Sequence, residues 1–109
     1  MAAAKVIVLY PTPRDAEAFE QAYTQDHVPM VTTQSFPGMT KFIATRVLGT
    51  PDGSAPPFYR TAELHFPSMQ ALQSAAASGG AQKAVAHAIE ISNGGMPVFL
   101  VAEEEIRDF

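Results

Sequence analysis

Histidine is the side chain best suited to proton transfer near neutral pH, and this chain has three: His27, His65 and His87. His27 follows Tyr23 by four residues and Asp26 by one. On a continuing helix the Tyr23 ring would lie beside the imidazole. We therefore predict that His27 and Tyr23 are catalytic, with the imidazole as general acid or base. The alternative is that His27 only ends a helix and Asp26 is solvated.

Two opposing effects act on the pKa of His27, and the sequence does not decide between them. The negative end of a helix dipole favours the protonated ring, whereas burial in an apolar cavity favours the neutral one. Pro29 blocks ordinary helix propagation just beyond His27. It is expected to push Val28 toward extended backbone and so to limit where His27 can lie.

A second group of polar residues belongs to the segment from Phe58 to Phe66. Its alternation places Tyr59, Thr61, Glu63 and His65 on one face, with apolar side chains on the other. A carboxylate such as Glu63 in mid-strand needs a partner or a cavity, and His65 is near enough to interact with it. The predicted substrate-binding residues are Tyr59, Glu63, His65 and Tyr10. His87 is interpreted as a helix-surface or helix-packing residue.

Several classes of function lack their residues or motifs. The chain has no Cys, which excludes disulfides, thiolate metal sites and thiol nucleophiles, and no His-x-x-x-His spacing favours a metal. Glycine motifs for nucleotides and the Gly-x-Ser-x-Gly of hydrolases are absent. The seven basic residues are scattered, so nucleic acid is not an expected partner. Without a signal or spanning segment, a cytoplasmic protein with no membrane partner is expected.

The periodicity of the sequence predicts one domain over residues 1–109 with the element order β-α-β-β-α-β. Thr12 is the expected N-cap of the first helix, with Pro13 in its first position. Ser68 is the expected N-cap of the second helix, which Gly79-Gly80 interrupts before it resumes to Ile91. The predicted strands are residues 5–10, 39–48, 58–66 and 96–102.

This order is the split βαβ pattern of the ferredoxin-like α+β fold. Both helices then lie on one face of a four-stranded antiparallel sheet, and the other face stays open unless something covers it. The open face is expected to combine the polar side of the third strand with apolar positions of its neighbours. We therefore predict a homodimer in which two open faces meet and enclose a cavity.

Three segments of the chain together resemble the EthD family: Phe19-x-x-x-Tyr23-x-x-x-His27-x-Pro29, then Phe36-Pro37-Gly38, then Pro57-x-Tyr59-x-x-x-Glu63-Leu64-x-Phe66-x-Ser68. The resemblance implies a dimeric α+β barrel. It also carries over His27 with Tyr23, and Tyr59 with Glu63, as motif positions. The family's namesake is associated with ethyl tert-butyl ether degradation through an oxygenase system. The wider superfamily includes cofactor-independent monooxygenases, isomerases, polyketide cyclases and haem-dependent enzymes.

Three hypotheses about function follow from the residues and the resemblance. The first is a catabolic protein that acts on a small apolar or aromatic compound by His27-assisted isomerisation, cyclisation or cofactor-free oxygenation. The second is a non-catalytic ligand-binding or accessory protein of an oxygenase system. The third is haem binding through His27 or His65, although no cofactor is the primary expectation.

Overall fold

The computed structural model describes residues 2–109, which form one four-stranded antiparallel sheet and the helices packed on it. In chain order the elements are β1 (Ala4–Pro11), α1 (Ala16–Ala22), a π-helical turn (Tyr23–His27), a 3-10 turn (Val28–Met30), β2 (Lys41–Arg46), β3 (Phe58–Phe66), α2 (Met69–Ala76), α3 (Gly79–Ile91) and β4 (Val98–Glu103). The strand order is β2-β3-β1-β4. This confirms the ferredoxin-like α+β fold, in which each helical crossover joins two strands with another strand between them.

The register of the sheet separates its two faces. Ala4, Val8 and Tyr10 of β1 belong to the buried core that packs against the helices. The odd-numbered residues of β1 face the other way, so Ile7 stands in a row with Glu63 of β3, Ile43 of β2 and Leu100 of β4. This open face is half-exposed because the helices cover only the opposite side.

The strands follow the predicted positions, with β3 spanning the predicted residues and β2 shorter at both ends. Tyr59 is the exception to the predicted alternation. The β1–β3 register shifts between Tyr10 and Pro11, so among the described residues Tyr59 has no partner opposite it on β1. Its ring instead packs edge-on against Phe19 of α1, with centroids 5.9 Å apart. The prediction that Tyr59 shares a face with Glu63 and His65 is therefore wrong, since a bulge re-aims side chains in this way.

The first helix begins later than predicted. Asp15 is its N-cap, with an extended backbone and a carboxylate that accepts a hydrogen bond from the Ala18 backbone N–H at 3.0 Å. The prediction that Thr12 is the N-cap is therefore wrong. Asp15, three residues later in the chain, supplies the carboxylate that accepts from a free N–H group of the first turn.

The second helical region is divided, but before the glycines rather than at them. Helix α2 starts on the predicted cap, Ser68, and ends at Ala76. Ser78 caps α3 by accepting from the Ala81 N–H, and its hydroxyl also donates to the Ser35 carbonyl at 2.9 Å. A Cβ on Gly80 would lie 2.7 Å from the Ser35 Cα, so glycine lets the helix approach this loop. The predicted interruption at Gly79-Gly80 is thus shifted, because the serine makes the break.

The segment around His27 differs most from expectation. Helix α1 widens into the π-helical turn, in which the Val28 N–H bonds to the Tyr23 carbonyl. Val28 keeps a right-handed helical backbone (φ −54°, ψ −41°), and the chain becomes extended only at Val31. The predicted extended Val28 is wrong because Pro29 sits in the first turn of the 3-10 segment, where its missing N–H needs no acceptor.

The core lies between the helices and the inward face of the sheet. Its largest fully buried side chains are aromatic: Tyr10, Tyr23, Phe19 and Phe66. The helix side contributes mainly alanine from α2 and α3, which allows close approach to the sheet. In the described part of the chain no helix combines the length and apolar character that crossing a membrane requires.

Candidate active site

A small cavity lies between α3, the segment that carries His27 and the inward face of the sheet. Its volume is about 40 Å³. It is lined by Val6, Val8, Tyr10, His27, Val31, Phe36, Phe42, Ala62, Leu64, Ala84, Val85, Ala88 and Phe99. All of these are apolar except His27 and the hydroxyl of Tyr10. Two of the lining side chains, Val85 and Phe99, are more than a third exposed, so the cavity lies close to the surface on their side.

His27 reaches this cavity because of the π-helical turn. A π-helical turn places an extra residue in the helix and changes the direction in which the following side chains point. The side chain of His27 is only 6% exposed. Burial, with a smaller effect of the neighbouring His87, lowers the pKa of His27 from 6.5 to about 4. Burial therefore outweighs the helix terminus, and the imidazole is neutral at neutral pH, as a general base requires.

The two predicted tyrosines take different positions around His27. Tyr23 lies beside the imidazole as predicted, with ring centroids 5.8 Å apart, but it is absent from the cavity lining. Its hydroxyl is buried without a hydrogen-bond partner among residues 2–109. Tyr10 does line the cavity, and its hydroxyl lies 3.5 Å from Nε2 of His27. Of these two phenols, that of Tyr10 is the nearer to Nε2 of His27, and burial raises the pKa of the Tyr10 phenol, which keeps it protonated.

His87, interpreted from the sequence as a helix-surface or helix-packing residue, is in contact with His27. Its Nδ1 lies 3.0 Å from Nδ1 of His27. Its position on α3 could have indicated that its side chain points inward. It falls on the same helix face as Ala84, Ala88 and Ile91, which turn toward the core. An inward histidine on an otherwise apolar stripe needs a polar partner, and His27 supplies it.

An ion pair between β3 and α1 lies beside the ring of Tyr23. Arg60 of β3 donates two hydrogen bonds to the carboxylate of Glu20 on α1, at 3.0 and 2.8 Å. The guanidinium lies 5.0 Å from the centroid of the Tyr23 ring. The pKa of Glu20 is lowered, first of all by the hydrogen bond from Arg60. This pair joins the helix before His27 to the sheet and holds Tyr23 against its neighbours.

Glu63 and His65 lie on the open face of the sheet, away from the cavity. The predicted contact between them is confirmed, with His65 Nε2 and Glu63 Oε1 3.0 Å apart. The other ring nitrogen of His65 lies 3.0 Å from Glu104, and Lys5 donates to Glu63 at 3.0 Å. That hydrogen bond is the main cause of the lowered pKa of Glu63. Their role in substrate binding stays a prediction, at a place separated from His27 by the sheet.

Neither histidine environment fits a metal or haem well. The ligand atoms of Glu63, His65 and Glu104 lie within 4.8 Å of one another. The Lys5 ammonium, however, is 3.0 Å from Glu63 and 3.4 Å from Glu104 and supplies the positive charge there. In the cavity, both ring nitrogens of His27 face protein partners, and about 40 Å³ is far too little for a porphyrin. Haem binding through His27 or His65 stays a prediction.

Fold and cavity together define a ferredoxin-like α+β protein with a buried neutral histidine between its sheet and its helices. The chain is 32% identical over 102 residues to an uncharacterised 11.0 kDa protein of Rhodococcus erythropolis, from the thcB-thcC intergenic region, with 94% of this chain and 96% of the relative covered. The crystal structure of an EthD family protein from Bacillus halodurans superposes with a TM-score of 0.84 at 28% identity, covering 94% and 99% of the two chains. This structural likeness confirms the predicted resemblance to the EthD family. No family model matches the chain.

More distant structures share the fold alone. They include a dimeric ferredoxin-like protein of unknown function from Jannaschia (TM-score 0.70, 17% identity, 95% and 99% covered). A hydroxynitrile lyase from Passiflora edulis has a TM-score of 0.69 at 15% identity, with 98% and 97% covered. A cofactor-independent oxygenase from Streptomyces nogalater has a TM-score of 0.60 at 13% identity, with 100% and 97% covered.

Proposed function

We propose that this protein binds a small, largely apolar organic molecule in the cavity beside His27 and catalyses a proton transfer on it. His27 takes a proton from a carbon acid or a phenol through Nε2, and the Tyr10 hydroxyl donates a hydrogen bond to the oxygen on which charge develops. The reaction class is isomerisation, cyclisation or cofactor-free oxygenation. The observation that carries the proposal is the neutral, buried imidazole whose Nε2 faces a phenol in an otherwise apolar cavity.

The size and lining of the cavity limit the substrate. One water molecule needs roughly 10 to 15 Å³ of such space, so the cavity holds only a few waters in this conformation. A larger ligand enters by displacing the partly exposed Val85 and Phe99. The polar side-chain groups of the lining are those of His27 and Tyr10, so an apolar body with a single polar group suits it best.

We further propose that the working form is a homodimer through the open face of the sheet. Ile7, Ile43 and Leu100 form an apolar row across that face, interrupted by Glu63, and Leu100 is 44% exposed. The Jannaschia structure with the same fold is described as dimeric. Covering this face in a dimer removes apolar area from water, which is the main driving force for association.

Proton transfer on a panel of small ketones, lactones and phenols tests the proposal. Loss or shift of a substrate C–H signal in D₂O is followed by NMR for wild type and His27→Gln. We expect turnover by the wild type to fall by roughly 100-fold or more in the variant, while ligand binding changes little. Asp26→Asn is the matched control, because this exposed neighbour of His27 is predicted to leave turnover unchanged.

Two results contradict the catalytic proposal. Turnover that is equal in the wild type and in His27→Gln removes His27 from the reaction. Saturable binding without any turnover in the wild type supports the alternative of a ligand-binding or accessory protein, for which His27→Gln weakens affinity instead of rate.

A further inference from the structure

His27 and His87 meet edge to edge. Their Nδ1 atoms are 3.0 Å apart, the ring planes differ by 17°, and the ring centroids are 5.2 Å apart. This centroid distance is close to the largest that two imidazoles touching through these atoms can have. The two nitrogens therefore lie on facing edges, with each ring nearly in line with the other, as in a direct N–H···N hydrogen bond.

A hydrogen bond between two Nδ1 atoms fixes the tautomers of both rings relative to each other. In a neutral pair only one of these nitrogens carries the proton, so the two rings must be opposite tautomers. If His27 holds the proton on Nδ1 and donates it to His87, its Nε2 keeps a free lone pair directed toward the cavity and Tyr10. The rings also differ in exposure, since His27 is buried and His87 is only half-buried on α3.

We propose that His27 and His87 form a two-imidazole relay that carries protons between the buried cavity and solvent. A substrate proton binds Nε2 of His27, the Nδ1 proton of His27 passes to Nδ1 of His87, and His87 releases its Nε2 proton to water or to a buffer base. The reverse sequence brings a proton from water to the cavity and returns both rings to their starting tautomers. His87 acts through His27 and is a positioning and shuttling residue. The kinetic part of this inference rests on the proposed function, whereas the tautomer pair does not.

The surroundings favour a neutral pair that can pass a proton. The aromatic groups facing His27 are Tyr10 of β1 and Tyr23 of its own segment. The Arg60 charge beside Tyr23 is compensated by Glu20. On α3, Lys83 and Glu90 stand within about one turn of His87 and are both exposed, so their charges are solvated.

NMR of the ¹⁵N-labelled protein tests the pair without a substrate. Long-range ¹H–¹⁵N spectra report which nitrogen of each ring carries the proton, and we expect the proton on Nδ1 of His27 and on Nε2 of His87. In His87→Ala the His27 tautomer should change, whereas Gln82→Ala, an exposed position of α3, should leave it as in the wild type. If both rings carry their proton on Nε2 in the wild type, two lone pairs face each other and the relay is overturned.

Kinetics on a substrate found in the panel tests the proton transfer itself. His87→Gln keeps a group that can accept the His27 N–H but cannot pass a proton on, so it separates proton transfer from a structural role. We expect turnover to fall roughly tenfold or more in weak buffer for both His87→Gln and His87→Ala. Added imidazole should restore the rate in these variants and leave the wild type unchanged.

Failure of the relay and failure of the proposed function give different results. If His27→Gln is inactive but both His87 variants turn over at the wild-type rate without imidazole, the relay is overturned and the proposed function stands. If no member of the panel is turned over, the proposed function fails, and the tautomer spectra still decide whether the relay pair exists.

Discussion

At the scale of single residues, burial sets the properties of His27. The ring lies at the end of a helical segment, whose dipole would favour a charged imidazole, yet the apolar cavity determines its protonation state. Its contacts with Tyr10 and His87 use both ring nitrogens, so the ring is held in one orientation. The fixed ring keeps Nε2 directed toward the cavity and the Tyr10 hydroxyl.

The lowered pKa of His27 makes the stability of the protein depend on pH. Unfolded, the ring takes up a proton as pH falls below 6.5, but in the folded protein it does so only near pH 4. The free energy of unfolding should therefore fall as pH drops from 6.5 to 4, by about 3 kcal/mol from this residue. Urea denaturation across this range should show a shallower pH dependence for His27→Gln. Parallel curves for wild type and variant would contradict the lowered pKa.

At the scale of elements, the close approach of α3 to the Ser35 loop determines where His87 lies. Ser78 begins the helix and also bonds to the Ser35 carbonyl, and Gly80 leaves room for this contact. The same loop supplies Phe36 to the cavity wall. A change in this contact is thus expected to move both the wall of the cavity and one partner of the histidine pair.

Gly80→Ala tests this packing against Gly79→Ala. The new Cβ at position 80 would lie 2.7 Å from the Ser35 Cα, whereas at position 79 it would meet no atom of residues 2–109 within 4 Å outside its own helix turn. We expect Gly80→Ala to destabilise the protein by roughly 1 to 3 kcal/mol despite the better helix propensity of alanine. Gly79→Ala should be neutral or more stable by up to about 1 kcal/mol. Urea midpoints measure both, and equal effects at the two positions would exclude a steric role for Ser35.

At the scale of the whole molecule, the sheet has one face covered by helices and one that is open. The cavity lies on the covered side, and the cluster of Lys5, Glu63, His65 and Glu104 lies on the open side. In the proposed homodimer these charged groups would approach the partner while the apolar row provides the contact. The proposed dimer interface and the candidate site thus lie on opposite sides of the sheet.

Leu100→Glu and Val101→Glu form a matched pair for testing the dimer. The two residues are adjacent on β4 and both are exposed, but Leu100 lies on the open face and Val101 on the opposite face. We expect sedimentation to show a dimer for the wild type and for Val101→Glu, and a monomer for Leu100→Glu. A monomeric wild type, or a Leu100→Glu protein that stays dimeric, would contradict the proposed interface.

The element order, the ferredoxin-like fold and the place of the Tyr23–His27 contact were predictable from the sequence, because hydrophobic periodicity and helical spacing are local properties. The contact between Glu63 and His65 was likewise predictable from the alternation of side chains along the strand. The tertiary structure alone decided that Tyr59 turns toward Phe19, that Val28 stays helical and that His87 meets His27 across 60 residues of chain. These outcomes depend on a register shift, a π-helical turn and the packing of α3, each of which is set by contacts between segments distant in sequence.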